Sequence, residues 1–243
     1  LNCIAADLRR VLRKKTFIIM LVIVALLNIG AAIPAVLAHG AEESSAKFAL
    51  IIGALNQFTG IFIGIPVFLA VFSDDFKSRA MQTAIGFGLS RAKLIVCRFL
   101  EVVLLIAECY VVLSIVVFVM KIIAGADMNA FTGIMKNLWL TEIEVLCHCS
   151  VCMIIVYIMQ NAVLALVSFI LLMSGFLDGI VMAIEMIPFL KEHNIKPSCL
   201  FANYSLSEAV SGKAYFWPIV FVAYIIVPII ITMIVFRKKE LEF

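Results

Sequence analysis

Charged side chains are scarce in this chain: they make up 14% of its 243 residues, against 65% hydrophobic ones. Soluble globular domains carry charge on about a quarter of their positions, so an ordinary soluble domain is excluded. Strand-like alternation of apolar and polar residues is missing as well. The apolar runs are continuous over roughly 18 residues or more, which points to membrane-crossing helices and away from a barrel. No nucleotide-binding G-x-x-x-x-G-K-[ST] loop occurs; Gly212–Lys213 lacks both the earlier glycine and the hydroxyl residue. Neither an internal repeat nor a pair of broken helices is visible, which weighs against a repeat-built secondary transporter. The seven cysteines are an odd number. Cys3, Cys97, Cys109, Cys147, Cys149 and Cys152 fall in or beside apolar runs or on the basic side. They read as buried thiols that pack as small hydrophobes, not as a disulfide framework. The first apolar run is too long for a signal peptide. The chain begins at Leu1, so a trimmed terminus and an unusual start codon both stay open.

What is present is a series of six apolar segments, at about 17–38, 48–72, 95–123, 143–159, 162–184 and 215–236. The expected fold is a single all-α integral membrane domain, 1–243, with six transmembrane helices. Gly53, Gly60, Gly64 and Pro66 lie inside the second span, where glycine allows close helix packing and proline is tolerated. Residues 1–16 read as an interfacial amphipathic helix. Ile4, Leu8, Val11 and Leu12 share one face, and Arg9, Arg10, Arg13 and Lys14 lie around the other. Short polar loops are expected at 39–47 ("HGAEESSAK") and 124–139 ("AGADMNAFTGIMKNLW"), with Glu142 and Glu144 reaching the outer interface. Six spans put both termini on one side, with most of the bases: Arg9, Arg10, Arg13, Lys14, Lys15, Lys77, Arg79, Arg91, Lys93, Arg98 and the Arg237–Lys239 tail. By the positive-inside rule that side is cytoplasmic.

The longest polar interruption is "SDDFKSRAMQTAIGFGLSR", residues 73–91. Asp74 and Asp75 stand where a helix would begin, complementing its exposed amides. Phe72, Phe76, Ala80, Thr83 and Phe87 recur at spacings of three and four, while Lys77, Arg79 and Gln82 lie mostly elsewhere. Gly86 and Gly88 break this helix, Ser90 caps the next, and Arg91, Lys93 and Arg98 hold its entry into the membrane. The pattern predicts a short cytoplasmic helix, a glycine turn and re-entry, suited to docking a cytoplasmic partner; an ordinary solvated loop is the plainer alternative.

The run from these acids through "GLSRAKL" into a span resembles the ABC-2 type permeases, the membrane subunits of one class of ABC transporter. The most specific piece is "GLSR" with its following lysine; over the remaining chain the resemblance rests on topology. It implies that the 73–94 segment couples the permease to an ATPase. That role falls on Asp74, Asp75, Phe76, Lys77, Arg79, Met81, Gln82, Ile85, Gly86, Gly88, Ser90 and Arg91. It also implies short re-entrant outer helices in 185–213, between spans five and six. The expected partners are an ABC ATPase dimer, which would hold ATP and magnesium, and a second permease, identical or homologous. This chain itself would bind no cofactor and no nucleic acid, would not be an enzyme, and would sit in lipid in a bacterial plasma membrane. Compact permeases of this kind recur in antimicrobial peptide export, lantibiotic immunity and bacitracin resistance, which implies a peptide or other amphipathic substrate. Two other function classes stand beside it: a self-sufficient channel or secondary transporter, and a membrane immunity protein that sequesters a peptide without moving it.

Two further clusters carry chemistry. "CHCSVC" places Cys147, His148, Cys149 and Cys152 together, residue types that bind zinc or copper. One helix cannot aim all four at one ion, because 147 and 149 diverge, so packing within the fourth span is the better reading. Ionisable residues inside spans are candidate functional groups. Glu101 and Glu108 lie seven apart on one face of the third span, and Asp178 lies in the fifth. These three form the expected intramembrane polar or substrate path, with Glu101 also able to pair with Arg98 at the boundary.

Overall fold

A computed structural model describes residues 8–38, 40–73, 85–174, 176 and 217–238. Every regular element among them is helical, and no strand occurs among the described residues. The helices are α1 (Lys15–Val36), α2 (Ala41–Phe68), α3 (Arg91–Ala124), α4 (Met128–Met159), α5 (Ala162–Met173) and α6 (Trp217–Lys238). Four stretches are long and apolar enough to cross a membrane: Phe17–Val36, Glu42–Phe72, Arg91–Ala124 and Met128–Met159. The described parts of the fifth and sixth apolar segments, Ala162–Met173 and Phe221–Arg237, are shorter. Residues 177–216, with Asp178 and the 185–213 region, lie outside the described residues, as do 1–7 of the N-terminal segment.

Local chemistry sets the helix ends. Ser90 caps α3 by accepting from the Lys93 amide at 3.4 Å, and Asp127 caps α4 by accepting from Asn129 at 3.3 Å. Asn161 caps α5 through Val163 and Leu164. Each small polar side chain takes up an amide that would otherwise lack an intrahelical partner. Gly125 ends α3 in the left-handed region at φ +64°, where a residue without Cβ is least strained.

The two expected outer loops are shorter in the structure. Helix α2 already begins at Ala41 and α4 at Met128, so most of 39–47 and 124–139 is helical. Phe131, Ile134, Met135 and Leu138 explain the second case: their spacing makes an apolar stripe, and all four belong to or pack against the core clusters. Side chains lock this end together. Ser44 Oγ donates to the Ala124 carbonyl at 2.7 Å, and the Asp127 amide donates to Ser45 Oγ at 2.8 Å. The start of α2, the end of α3 and the start of α4 therefore share one level, here called the hairpin end. The opposite, basic end carries Arg9, Arg10, Arg13 and the starts of α1 and α3.

Large apolar side chains stand exposed along whole helix faces, among them Leu26, Ile115, Ile122 and Val163 at 59–65%. A soluble surface rarely shows apolar area on this scale; a lipid-facing one does. The residues facing inward are closely packed. A Cβ on Gly60 would lie 2.9 Å from Met173 and 3.1 Å from Thr141 and Val145, and one on Gly64 would run into the Phe169 ring. Gly53 differs from the expectation: no atom of the described residues lies within 4 Å of its added Cβ. At the basic end Phe68, Phe72, Tyr157, Phe169 and Phe236 form a chain of ring contacts joining α2, α4, α5 and α6. Leu8, Val11 and Leu12 of the helical turn at 8–12 join the same core, while Arg9 and Arg10 stay exposed.

Proline is accommodated by a hydroxyl group. Pro228 in α6 has no amide to give the Tyr224 carbonyl one turn earlier. Ser150 Oγ of α4 lies 2.7 Å from that carbonyl and supplies a donor, and Thr232 Oγ1 donates to the Pro228 carbonyl at 2.7 Å. Apolar surroundings leave backbone groups few other partners, so such hydroxyls set helix register.

Candidate functional site

Two places gather polar chemistry among the described residues. The first is at the basic end, where the 73–91 segment enters α3. The α2 ladder widens into a π-turn at Leu69–Ser73, a local irregularity that recurs at functional positions. Asp74, Asp75, Phe76, Lys77, Arg79, Met81 and Gln82 lie outside the described residues. Beyond them, Ile85 packs on the core while Gly86 is exposed. Gly88 turns the chain with φ +89°, its amide bonded to the Ile85 carbonyl. The glycine turn and the Ser90 cap thus follow the sequence expectation.

Arg91 makes contacts that the sequence did not indicate. Its Nη1 donates to the Phe236 carbonyl at 2.9 Å, and its guanidinium lies over the Phe236 ring at 5.5 Å. Nη1 also reaches the Arg237 carbonyl at 3.4 Å. These carbonyls belong to the last turn of α6, where helical partners run out and the dipole favours a cation. A planar guanidinium suits both stacking and carbonyl binding in a way an ammonium does not. The start of α3 and the end of α6 are thereby tied together.

The second place is inside the bundle. Arg98 and Glu101 form the expected ion pair at 2.6 Å, with both side chains buried. Glu108 departs from the expectation: it is exposed on α3, not turned inward with Glu101. Seven residues on a helix return to nearly the same direction, yet at Glu101 another helix covers that direction and at Glu108 none of the described residues does.

Glu142 and Glu144 require the opposite correction, because both are buried, at 6% and 5% exposure, instead of reaching an interface. The cause is the early start of α4, which carries Lys136 and Trp139 first and sinks the acids further along. Residues two apart on a helix point in nearly opposite directions, so burial of both means that α4 is enclosed on two sides here. Tyr110 of α3 is fully buried, and its hydroxyl has no hydrogen-bond partner among the described residues. Glu142 Oε2 likewise has none, nor does the side-chain amide of Asn56 on α2. His148, one turn beyond Glu144, rests against the Glu144 backbone.

The cysteines disperse as their helical phase requires. Cys147 faces the Phe221 carbonyl of α6 at 3.9 Å, while Cys149 and Cys152 lie in the main core. Among the described residues no group of three or more His, Cys, Asp or Glu side chains is arranged to hold a metal ion. The burial of Glu142 and Glu144 and the unpartnered polar atoms of Tyr110 and Asn56 are not expected from the sequence. The usable signal was E-x-E followed by an apolar run, which becomes informative only once the helix start at Met128 is known.

The fold so defined is all-helical among the described residues, with four helices fit to cross a membrane and buried ionisable groups between them. No family model matches this chain, and no curated protein matches it.

Proposed function

We propose that this chain is the membrane-spanning permease subunit of a bacterial ABC exporter. In this reading it lies in the plasma membrane with both termini and the 73–91 segment in the cytoplasm. It pairs with a second permease, and a separate ATPase dimer binds ATP and magnesium. The cargo is an amphipathic molecule such as an antimicrobial peptide. The observation that carries the reading is the Arg91 clasp on α6. The 73–91 segment is continuous with α2 on one side and α3 on the other, and Arg91 adds α6 as a third helix. A push on this segment by a closing ATPase would move three helices together. The gathering of Arg9, Arg10, Arg13, Lys14, Lys15, Arg91, Lys93 and Arg237 at the same end supports a cytoplasmic placement.

Co-purification with a co-expressed ABC ATPase tests the reading. Charge reversal at Asp74/Asp75 or at Lys77/Arg79 is expected to abolish the complex while leaving the chain folded. Full substrate transport by the purified chain without any ATPase would overturn it. A second reading, a self-sufficient ion-driven transporter, draws support from one observation: the buried acids Glu142 and Glu144. Flux in liposomes driven by a proton or sodium gradient alone distinguishes the two.

A further inference from the structure

We propose that the cleft between the start of α3 and the end of α6 binds an anionic phospholipid, whose phosphate is held by Arg237, Arg91 and Ser90 and whose acyl chains lie along the two helices. The inference needs α3 and α6 to lie in lipid and stands apart from the ATPase reading.

The cleft has a volume of about 530 Å³ and is lined by Ser90, Arg91, Ala92, Met233, Ile234 and Arg237. That lies within the roughly 300–1,000 Å³ of small-molecule sites. Its polar wall is cationic. Arg91 is held there by its contacts with Phe236, which fix the position of its charge. Arg237 is exposed, and its side chain has no ion-pair or hydrogen-bond partner among the described residues. Guanidinium groups match the oxygens of a phosphate in pairs. Ser90 accepts from the Lys93 amide, and its hydroxyl can still donate to a second partner. The first acid along α3 is Glu101, about 15 Å from Arg91 at the helical rise, and Arg98 engages it. Because α3 begins here and α6 ends here, their dipoles oppose one another, and attraction for an anion rests on the side-chain charges.

The apolar part of the cleft distinguishes a lipid from a soluble anion. Ala92, Met233 and Ile234 form its other wall. From this end α3 runs into the bundle and α6 runs out of it. Four residues along each helix therefore bring Val96 and Ile230 one turn, about 5.4 Å, deeper than Ala92 and Ile234. Both are exposed, and so are Leu100 and Ile226 a further turn in. An apolar row on each helix thus continues from the cationic wall toward the middle of the bundle, where an acyl chain can cover it. Basic pockets between helices on the cytoplasmic side are suited to anionic headgroups. A phosphatidylglycerol carries one net negative charge beside two chains and so matches both parts. Phosphatidylcholine adds an ammonium group, which Arg91 and Arg237 repel.

Quenching of tryptophan fluorescence by brominated acyl chains tests this on the full chain in phosphatidylcholine vesicles, with Trp139 and Trp217 replaced by phenylalanine. One tryptophan is placed in the groove by Ile230→Trp, and a comparison one near the same end of α1 by Ile19→Trp; both positions are exposed. Brominated phosphatidylcholine should quench both, which shows that both positions meet lipid. Brominated phosphatidylglycerol, added as a minor component, is expected to be enriched about fivefold more at Ile230→Trp than at Ile19→Trp, the factor that one basic side chain supplies near an anionic headgroup. Arg237→Gln, at an exposed side chain without partners among the described residues, should remove that preference and leave the fold intact. Arg9→Gln takes the same charge from an exposed residue outside the cleft and should leave the preference in place. Equal enrichment at the two positions, a preference that survives Arg237→Gln, or one lost equally in Arg9→Gln overturns the proposal. Loss of the preference in inorganic phosphate at constant ionic strength also overturns it, by identifying a soluble anion as the occupant. Failure of brominated phosphatidylcholine to quench Ile230→Trp refutes it as well, because the groove is then closed to lipid.

Discussion

Substitution of Gly64 by alanine, with Gly53 as its control, tests the packing of α2 most directly. Both residues lie in the same helix, and alanine is favoured over glycine there by about 1 kcal/mol. At Gly53 the added methyl meets nothing within 4 Å, so that gain stands alone. At Gly64 the methyl would run into the Phe169 ring, with Cε1 only 2.7 Å away. The ring has little room to yield: Phe169 is fully buried and stacks on Phe68 at 6.3 Å with an interplanar angle of 15°. Overpacking of this kind costs about 1–3 kcal/mol. Because the backbone term is common to both variants, it cancels, and Gly64→Ala is expected to be less stable than Gly53→Ala by that 1–3 kcal/mol. At roughly 2–4 °C per kcal/mol for a chain of this size, the melting temperatures separate by about 2–12 °C. Heating in mild detergent with a thiol-reactive dye reads the transition, since Cys109, Cys147, Cys149 and Cys152 are buried; partly buried Cys97, together with Cys3 and Cys199, is replaced to lower the background. Adding Phe169→Leu to Gly64→Ala should recover at least about 1 kcal/mol relative to the sum of the single changes. Equal melting temperatures for the two alanine variants, or strict additivity with Phe169→Leu, would refute the close approach of α2 and α5.

The other contacts make their own predictions. Arg98→Met leaves Glu101 buried without its cation and is expected to cost about 3–5 kcal/mol, whereas Arg98→Met/Glu101→Met costs much less; chemical denaturation in micelles compares them. Arg91→Lys keeps the charge but loses the planar contact with Phe236, so it should uncouple α3 from α6. A cysteine pair introduced across that contact should then cross-link more slowly than in the parent. Ser150→Ala should destabilise by about 1 kcal/mol, and adding Pro228→Ala, which restores an amide for Tyr224, should recover most of it. With Cys3 and Cys199 replaced, a maleimide is expected to label Cys97 alone in the folded chain; rapid labelling of Cys149 or Cys152 would contradict the core.

How far the sequence carries these features depends on whether they are local. The Ser90 cap, the turn at Gly88 and the Arg98–Glu101 pair each involve residues within a few positions of one another, and each follows from residue type and spacing. Helix starts are less legible, because a polar helix start and a loop share the same composition. The stretches beginning at Ala41 and Met128 are polar yet helical: apolar residues recur on one face, and contacts from another helix stabilise them. The burial of Glu142 and Glu144 depends on the same helix start, since an acid close to a helix start can reach water and one four turns along cannot. Glu101 and Glu108 make the sharper point. Their spacing fixes a shared direction on α3 and says nothing about which neighbour stands in that direction at each level. The Arg91 clasp spans 145 positions in the chain, and neither Arg91 nor Phe236 carries a mark of the other in the sequence. Residues such as Arg91 and Phe236 therefore acquire chemical meaning only when helix pairing is known, and for this reason the clasp is read from the bundle and not from a motif.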